Sequence, residues 1–132
     1  MRIEPELWVA DTGAAISFYG RAFGAQTVHV VGEADDADGV AQLEIGGARF
    51  WVAGAAQELG RLDPRAAGGA TARMLLVVDD PHAVAAAAVA AGARELSPVG
   101  HEHAWLVGRV RDPFGHEWEI GRPLGDWPPG TR

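Results

Sequence analysis

The chain contains an internal repeat, in which two copies of one pattern lie 68 residues apart. The matching positions are Asp11 and Asp79, Gly24 and Gly92, and Gly47 and Gly115. In both copies an apolar run leads through an Ala-rich segment to a Gly-Ala pair. Because 132 residues fit one ordinary domain, the repeat divides a single domain, residues 1–132, into two modules. The repeat predicts a pseudo-twofold fold with a functional site between its halves.

The composition excludes several classes of chemistry. The chain has neither Lys nor Cys, so it offers no Schiff-base amine, no thiolate nucleophile and no Cys-bound metal. Ser17, Ser97 and Tyr19 are its only Ser or Tyr residues, which disfavours covalent catalysis. The formal net charge of −7 disfavours nucleic acids and anionic membranes as partners, because both bind cationic faces.

The sequence shows no targeting or membrane-spanning segment. Met1 to Glu4 opens the chain without an apolar signal core. The longest apolar stretch, near residues 83–91, is too short and too rich in Ala to span a bilayer. We therefore expect a cytoplasmic protein.

The first module, residues 1–54, is predicted to have the order β-α-β-β-β. Its first strand alternates apolar and polar side chains, and Pro5 makes the beginning of this strand an edge or a bend. Asp11 or Thr12 is expected to cap the helix, which Gly24 ends. The predicted elements are a strand at 3–10, a helix at 13–23, and strands at 26–31, 39–46 and 48–54.

The second module, residues 71–122, is predicted to repeat this order after a linker at 55–70 that contains Gly and Pro without periodicity. Asp80-Pro81 is a favoured start for its helix, and Pro98 to Gly100 resemble a turn. The predicted elements are a strand at 72–79, a helix at 81–91, and strands at 94–99, 104–111 and 116–121. The Pro-rich tail, residues 123–132, is expected to be a flexible end or a strap laid over a neighbouring element.

Two segments of the chain resemble a known superfamily. They are Ala14-Ala15-Ile16-Ser17-Phe18-Tyr19 with Ala22-Phe23-Gly24-Ala25, and Asp112-Pro113-Phe114-Gly115-His116-Glu117-Trp118-Glu119. The chain resembles the vicinal oxygen chelate superfamily, which includes glyoxalase I, bleomycin-resistance proteins and extradiol dioxygenases. The resemblance implies an α+β fold of two tandem βαβββ modules whose curved sheets surround a central cavity, usually completed in a homodimer. It also implies, for the metalloenzymes, a divalent ion held by four His or Glu ligands from the first and last strand of each module.

Carried onto this chain, the resemblance places the four ligand positions on two carboxylates and two residues that do not bind metals. Glu4 and Glu119 occupy the first-strand position of module one and the last-strand position of module two. Trp51 and Arg73 occupy the other two positions. Two carboxylates without His or Cys make a poor site for Zn, Ni or Fe, so we expect no family-type metal and no cofactor. The alternative is one divalent metal ion in a rearranged site of Glu4, Glu119, His101 and His103.

The expected proximity of Arg73 and Glu119 has two interpretations. In one, the guanidinium occupies the place of the ion and pairs bidentately with the carboxylate that the ion would have bound. Arg73 could then also hold a carboxylate or carbonyl of a ligand. In the other, the pair only neutralises charge in a polar cavity.

Alternation along the strands separates a face beneath the helices from a face that lines the cavity. The first is expected to contain Leu7, Val9, Ala41, Leu43, Ile45, Phe50, Val52, Leu106, Val110, Trp118 and Ile120. The second is expected to contain Glu4, Glu6, Trp8, Gln42, Glu44, Arg49, Trp51, Arg73, Leu75, Val77, His101, His103, Trp105, Arg109, Glu117 and Glu119. Three Trp on one polar, mostly acidic face predict a surface for a planar ligand, and the surrounding carboxylates favour a cationic one. The alternative is that each Trp fills space or packs in a dimer contact.

His101 and His103 are separated by one residue, so alternation predicts that both point the same way on a strand. This geometry can bind a metal or supply a general base near neutral pH. The alternative is an exposed hairpin end.

The leading functional hypothesis is a small-molecule binding protein that sequesters an aromatic, antibiotic-like ligand, as in antibiotic resistance. Its expected ligand-binding residues are Trp8, Trp51, Arg73, His101, His103, Trp105 and Glu119. The second hypothesis is a divalent-metal-dependent lyase, isomerase or dioxygenase of the glyoxalase type. A third is a metal-free lyase or isomerase in which Glu4 or Glu119 acts as base and Arg73 as electrophilic support.

Overall fold

The computed structural model describes residues 1–32 and 37–130, and its strands form two sheets, one in each module. Module one contains β1 (Glu6–Val9), α1 (Thr12–Phe23), β2 (Gln26–Val31), β3 (Val40–Ile45) and β4 (Ala48–Gly54). A 3₁₀ turn (Gln57–Leu59) and the short helix α2 (Pro64–Ala67) follow. Module two contains β5 (Arg73–Val77), α3 (Pro81–Ala91), β6 (Arg94–Glu102), β7 (Trp105–Arg111) and β8 (Glu117–Pro123).

Both sheets have the same topology, as the repeat predicts. The strand orders are β1-β4-β3-β2 and β5-β8-β7-β6. In each sheet the first strand of the module pairs in parallel with the last, and the other pairs are antiparallel. The predicted α+β fold of two tandem βαβββ modules is confirmed.

The two long helices begin where the sequence places their caps. The Asp11 carboxylate accepts a hydrogen bond from the Ala14 amide at 3.0 Å, and Asp80 accepts one from the Ala83 amide at 3.1 Å. Both caps satisfy amides that have no partner within the helix. Within residues 1–32 and 37–130, no helix is long and apolar enough to cross a membrane.

Two predicted boundaries are wrong. β1 begins at Glu6 rather than at residue 3, because Pro5 has no amide to donate. The Pro5 carbonyl still accepts from the Trp51 amide at 2.7 Å. The linker at 55–70, predicted to be irregular, contains the 3₁₀ turn and α2. The Asp63 carboxylate caps α2 by accepting a hydrogen bond from the Ala66 amide at 3.2 Å.

The third difference lies in β6, which continues to Glu102 through the segment predicted as a turn. Two register shifts interrupt its pairing with β7, one between Glu95 and Ser97 and one between Ser97 and Gly100. Such bulges let extra residues enter a strand without ending it. Each shift inverts the alternation of side chains, so the two together restore it, and Arg94 and Glu102 lie on the same face.

The two modules share one hydrophobic core. α1 packs on β3 and β4, α3 packs on β6, β7 and β8, and the two helices pack against each other. Of the residues predicted beneath the helices, those that are buried are Leu7, Val9, Ala41, Leu43, Phe50, Val52, Val110, Trp118 and Ile120, whereas Ile45 and Leu106 are half-buried. The alternate side chains of the strands lie on the opposite face of each sheet, such as Trp51 on sheet one and Leu75 on sheet two. We call it the open face of that sheet.

The Asp112 carboxylate is the main polar connection inside this core. Asp112 is 4% exposed and accepts hydrogen bonds from the Tyr19 hydroxyl and, at 3.0 Å, from Trp118 Nε1. Its other oxygen accepts from the amides of Phe114 at 2.9 Å and His116 at 3.0 Å. Burial, followed by the Asp112 charge, raises the pKa of Tyr19 well above its usual value. One carboxylate therefore orders the 112–116 turn of module two and binds it to α1 of module one.

A second polar contact between the modules involves His116. Its Nε2 donates to the Trp8 carbonyl oxygen at 2.8 Å. Because a carbonyl only accepts, this contact requires the proton on Nε2. It connects the start of β8 to β1.

We expect the Tyr19→Phe variant to lose about 1–3 kcal/mol of unfolding free energy, because the buried Asp112 carboxylate would lack one donor. Asp112→Ala should lose more, since it leaves several buried donors without an acceptor. Urea unfolding measures both, and Asp79→Asn, at an exposed acid, serves as a control expected to stay within about 0.5 kcal/mol of wild type. If the unfolding free energy of Tyr19→Phe equals that of wild type, the hydrogen bond from Tyr19 to Asp112 does not stabilise the joined modules.

Candidate functional site

The strand registers identify corresponding positions of the two modules. Glu6 pairs with Trp51, and Glu4 lies two residues before Glu6. In the same way Leu75 pairs with Glu119, and Arg73 lies two residues before Leu75. Each module thus combines one carboxylate with one N–H donor at these positions. Trp51 Nε1 donates to Glu4 Oε1 at 2.8 Å, and Arg73 Nη2 lies 3.9 Å from Glu119 Oε2.

Glu4 is held by several donors from its own module. Gln42 Nε2 donates to Glu4 Oε1 at 2.7 Å, in addition to Trp51, and Arg2 Nε donates to Oε2. Only 13% of the Glu4 side-chain surface is exposed to solvent. Hydrogen bonds from Arg2, Gln42 and Trp51 lower the pKa of Glu4 to about 2. Its carboxylate is therefore ionised and already occupied by partners.

Glu119 is held chiefly by Arg109, which pairs with it across β7 and β8. Arg109 Nε donates to Glu119 Oε2 at 3.0 Å, closer than Arg73. The Nη atoms of Arg109 bind both oxygens of Glu102, at 3.1 and 2.9 Å, and Nη1 reaches Ser97 Oγ at 3.4 Å. Glu102 raises the pKa of Arg109, and Arg109 lowers that of Glu102. The closest guanidinium to Glu119 is thus Arg109, for which the sequence indicated only an open-face position.

These donors do not fit a divalent metal ion at the four family positions. Indole and guanidinium groups are not metal ligands, and both carboxylates accept hydrogen bonds from them or from neighbouring side chains. In the part of the chain that the structure describes, no three His, Cys, Asp or Glu side chains are grouped to hold an ion.

The predicted common orientation of His101 and His103 is wrong. The two-residue turn at His103 and Ala104 pairs Glu102 with Trp105 on the open face, and it pairs His101 with Leu106 on the opposite face. His103 lies in the β6–β7 turn with φ 48°, followed by Ala104 with φ 66°. Glu102 therefore takes the open-face position that strict alternation assigns to His101.

The Trp residues predicted to line one cavity divide between the two sheets. Trp8 and Trp51 lie in strands of sheet one, where Trp8 Nε1 donates to Glu6 Oε2 at 2.9 Å. Trp105 lies on sheet two, and its ring contacts that of Trp127 edge-on, with centroids 5.4 Å apart at 80°. The predicted ligand-binding residues, apart from His101, thus form one group on each sheet.

Three of the predicted residues, His103, Trp105 and Glu119, line a pocket of about 270 Å³, which we call the Trp105 pocket, whereas Arg73 does not line it. It is lined by Leu75, Glu102, His103, Trp105, Val107, Arg109, Glu119 and Trp127. The sequence predicted five of these as open-face residues: Leu75, His103, Trp105, Arg109 and Glu119. The sequence did not predict that Trp127 lines this pocket, because the tail has no hydrophobic periodicity. The only sign that the tail packs on the domain was an aromatic residue next to Pro.

A larger crevice of about 650 Å³ opens between residues 2–5, the β3–β4 turn and β5. Its walls are mostly apolar, and its charged side chains have partners within the chain. Arg2 pairs with Glu4, and Arg49 Nε donates to Glu44 at 2.8 Å. The crevice also contains Phe50 and Trp118, but these side chains are buried, whereas Trp127 in the Trp105 pocket is 52% exposed. The Trp105 pocket therefore offers more aromatic surface to a ligand and is the better candidate despite its smaller volume.

The sequence and the fold both match known proteins. The family model described as the glyoxalase/bleomycin resistance protein/dioxygenase superfamily matches residues 3–120. An uncharacterised protein of Mycobacterium bovis is 32% identical over 127 residues, which cover 92% of this chain and 83% of the relative.

Solved structures show the same fold. A gene product of Arabidopsis thaliana superposes with a TM-score of 0.70 at 27% identity, covering 92% of this chain and 98% of that one. TioX from Micromonospora superposes with a TM-score of 0.70 at 24% identity, covering 94% of this chain and 99% of TioX.

The low pKa of Glu4 predicts a pH-dependent contribution to stability. The folded-state pKa of about 2 lies below the ordinary 4.5, so this contribution is complete above about pH 4.5 and is lost as the pH falls toward 2. We expect the difference in unfolding free energy between wild type and Glu4→Gln to shrink from about pH 6 to about pH 3 in urea titrations. Glu58→Gln, at an exposed site, measures the general effect of removing one negative charge. A Glu4→Gln difference that stays constant over this range would contradict the assignment.

Proposed function

Because the chain belongs to the glyoxalase/bleomycin resistance protein/dioxygenase superfamily, we propose that it binds a small aromatic molecule in the Trp105 pocket and sequesters it without a metal ion. The observation that carries this proposal is an indole wall beside an ion network that is already internally paired. Such a pocket offers a rigid ring surface without a free reactive group.

The shape and lining of the Trp105 pocket favour a flat ligand. Trp105 supplies a large ring at low entropic cost, and Val107 and Leu75 supply apolar contacts. A volume of about 270 Å³ is near the lower end for small-molecule sites, which suits one or two aromatic rings. Leu75 is 50% exposed, so a ligand can bury apolar surface there.

The carboxylates support binding more than proton transfer. A general base near neutral pH needs a pKa close to that pH, and the pKa values of Glu4 and Glu102 are shifted the other way. Arg109 occupies Glu119 Oε2 at 3.0 Å. These pairings favour sequestration over the metal-free lyase or isomerase hypothesis.

The metal-dependent hypothesis has less support, because the family positions hold Trp51 and Arg73 and the alternative ligands are dispersed. His101 is on the opposite face from Trp105, and His103 lies in a turn. A glyoxalase-type lyase, isomerase or dioxygenase would need a different arrangement of these side chains.

The proposal includes a cytoplasmic homodimer and an antibiotic-like ligand. Leu75 and Val77, on the open face of sheet two, are 50% and 59% exposed. Adjacent exposed apolar side chains on one face are typical of surfaces that another molecule covers. A second copy of the chain would shelter them and restrict solvent access to the Trp105 pocket.

We expect bicyclic aromatic compounds to quench the intrinsic Trp fluorescence and to bind in isothermal titration calorimetry. Trp105→Ala should weaken binding about tenfold, because one aromatic contact contributes on the order of 1 kcal/mol beyond its buried area. Trp105→Phe should retain most of the affinity. Val89→Ala, at an exposed site on α3, is the control. Equal affinities for wild type and Trp105→Ala would place the ligand elsewhere, and loss in Trp51→Phe instead would place it on sheet one.

Divalent ions should leave this binding unchanged. After chelator treatment, addition of Mn²⁺, Ni²⁺ or Zn²⁺ should neither alter the affinity for the aromatic compound nor yield one bound ion per chain, because indole and guanidinium groups occupy the ligand positions. Calorimetry and elemental analysis measure both quantities. Stoichiometric binding that Glu119→Gln abolishes would support the metal-dependent hypothesis over this one.

A further inference from the structure

The segment after β8 crosses the β6–β7 turn and adds a wall to the Trp105 pocket. The Leu124 amide donates to the Ala104 carbonyl at 2.9 Å, which fixes the beginning of this segment on the turn. Three residues later the Trp127 ring meets the Trp105 ring edge-on. We call residues 124–130 the strap. Trp127 is 52% exposed, so its ring retains surface for a further contact.

The strap lies beyond the region that the family model matches, which ends at residue 120. The turn beneath it is strained, because His103 and Ala104 both adopt left-handed backbone conformations that favour Gly or Asn. The chain contains 18 Gly but has none at this turn. Strained non-Gly residues concentrate at binding sites, and here the strained turn also carries the strap.

The pocket beneath the strap offers hydrogen-bond acceptors and few donors. Arg109 directs its Nε and both Nη atoms to Glu119, Ser97 and Glu102. Arg109 and Arg73 both contact Glu119 through Oε2, and the Glu102 side chain is 43% exposed. The two indole rings present negative π-faces. A positively charged aromatic group that carries N–H donors matches both the carboxylates and the rings.

We propose that the strap makes Trp127 the second wall of an aromatic slot, and that this slot selects a small planar aromatic cation bearing N–H donors. The ring of the ligand contacts Trp105 and Trp127, and its N–H groups reach the carboxylates of Glu119 and Glu102. This inference rests on the proposed function, because it specifies the ligand of the same pocket.

Three bicyclic probes of similar size test the charge selection in the full-length chain. They are an aminoquinoline that is protonated at neutral pH, naphthol and naphthoate. Calorimetry should show the aminoquinoline binding at least tenfold more tightly than naphthol, and naphthoate binding most weakly. Glu102→Gln should weaken the aminoquinoline severalfold and leave naphthol unchanged, because it removes the charge and keeps the shape.

Two variants of the strap test the role of Trp127. Trp127→Ala should weaken the aminoquinoline about tenfold, and Trp127→Phe should restore most of that loss. Leu124→Ala is the matched control, since it changes an exposed side chain of the strap and keeps the backbone bond to Ala104. Thermal unfolding close to that of wild type shows that each variant folds.

The outcomes separate this inference from the proposed function. If naphthol or naphthoate binds as tightly as the aminoquinoline, or if Trp127→Ala retains wild-type affinity, the selective slot is wrong while aromatic binding stands. If none of the three probes binds, the proposed function fails and the slot fails with it.

Discussion

The buried Asp112 carboxylate is the interaction on which the joined modules depend. A buried charge is tolerated only when donors surround it, and here the donors come from both halves of the chain. Tyr19 reaches it from α1, while Trp118 and two turn amides reach it from module two. Neither module can satisfy this group alone. The sheets are therefore held in one relative position, which fixes the placement of both open faces.

The repeat is symmetric in its backbone and asymmetric in its chemistry. Both sheets have the same strand order, yet the corresponding pairs are Glu4 with Trp51 and Arg73 with Glu119. In each module, one acid faces one N–H donor of the same module. A shared ion would instead require ligands from both modules. The duplicated scaffold has thus become two separate, internally paired polar clusters, one of which lies beside an aromatic wall.

The sequence predicted the fold well and the candidate site in part, for a physical reason. Helix caps and the alternation of buried side chains depend on neighbouring residues, so α1, α3 and most of the core were predictable. Alternation failed at the end of β6, because the two-residue turn at His103 and Ala104 pairs Glu102 with Trp105, whereas alternation continued from Trp105 through the turn assigns this face to His103 and His101. Glu102 and Trp127 reach the Trp105 pocket through that turn and through a non-periodic tail, so only the structure reveals them.

The bulges have a consequence for solubility. β2 and β6 each form one of the two edges of their sheets, and a regular edge strand offers unpaired backbone groups to another chain. Both carry register shifts, one in β2 between Thr27 and His29 and two in β6, where Pro98 also lacks an amide. These irregularities hinder the edge-to-edge pairing that leads to aggregation. The bulges of β6 therefore protect this edge of the second sheet.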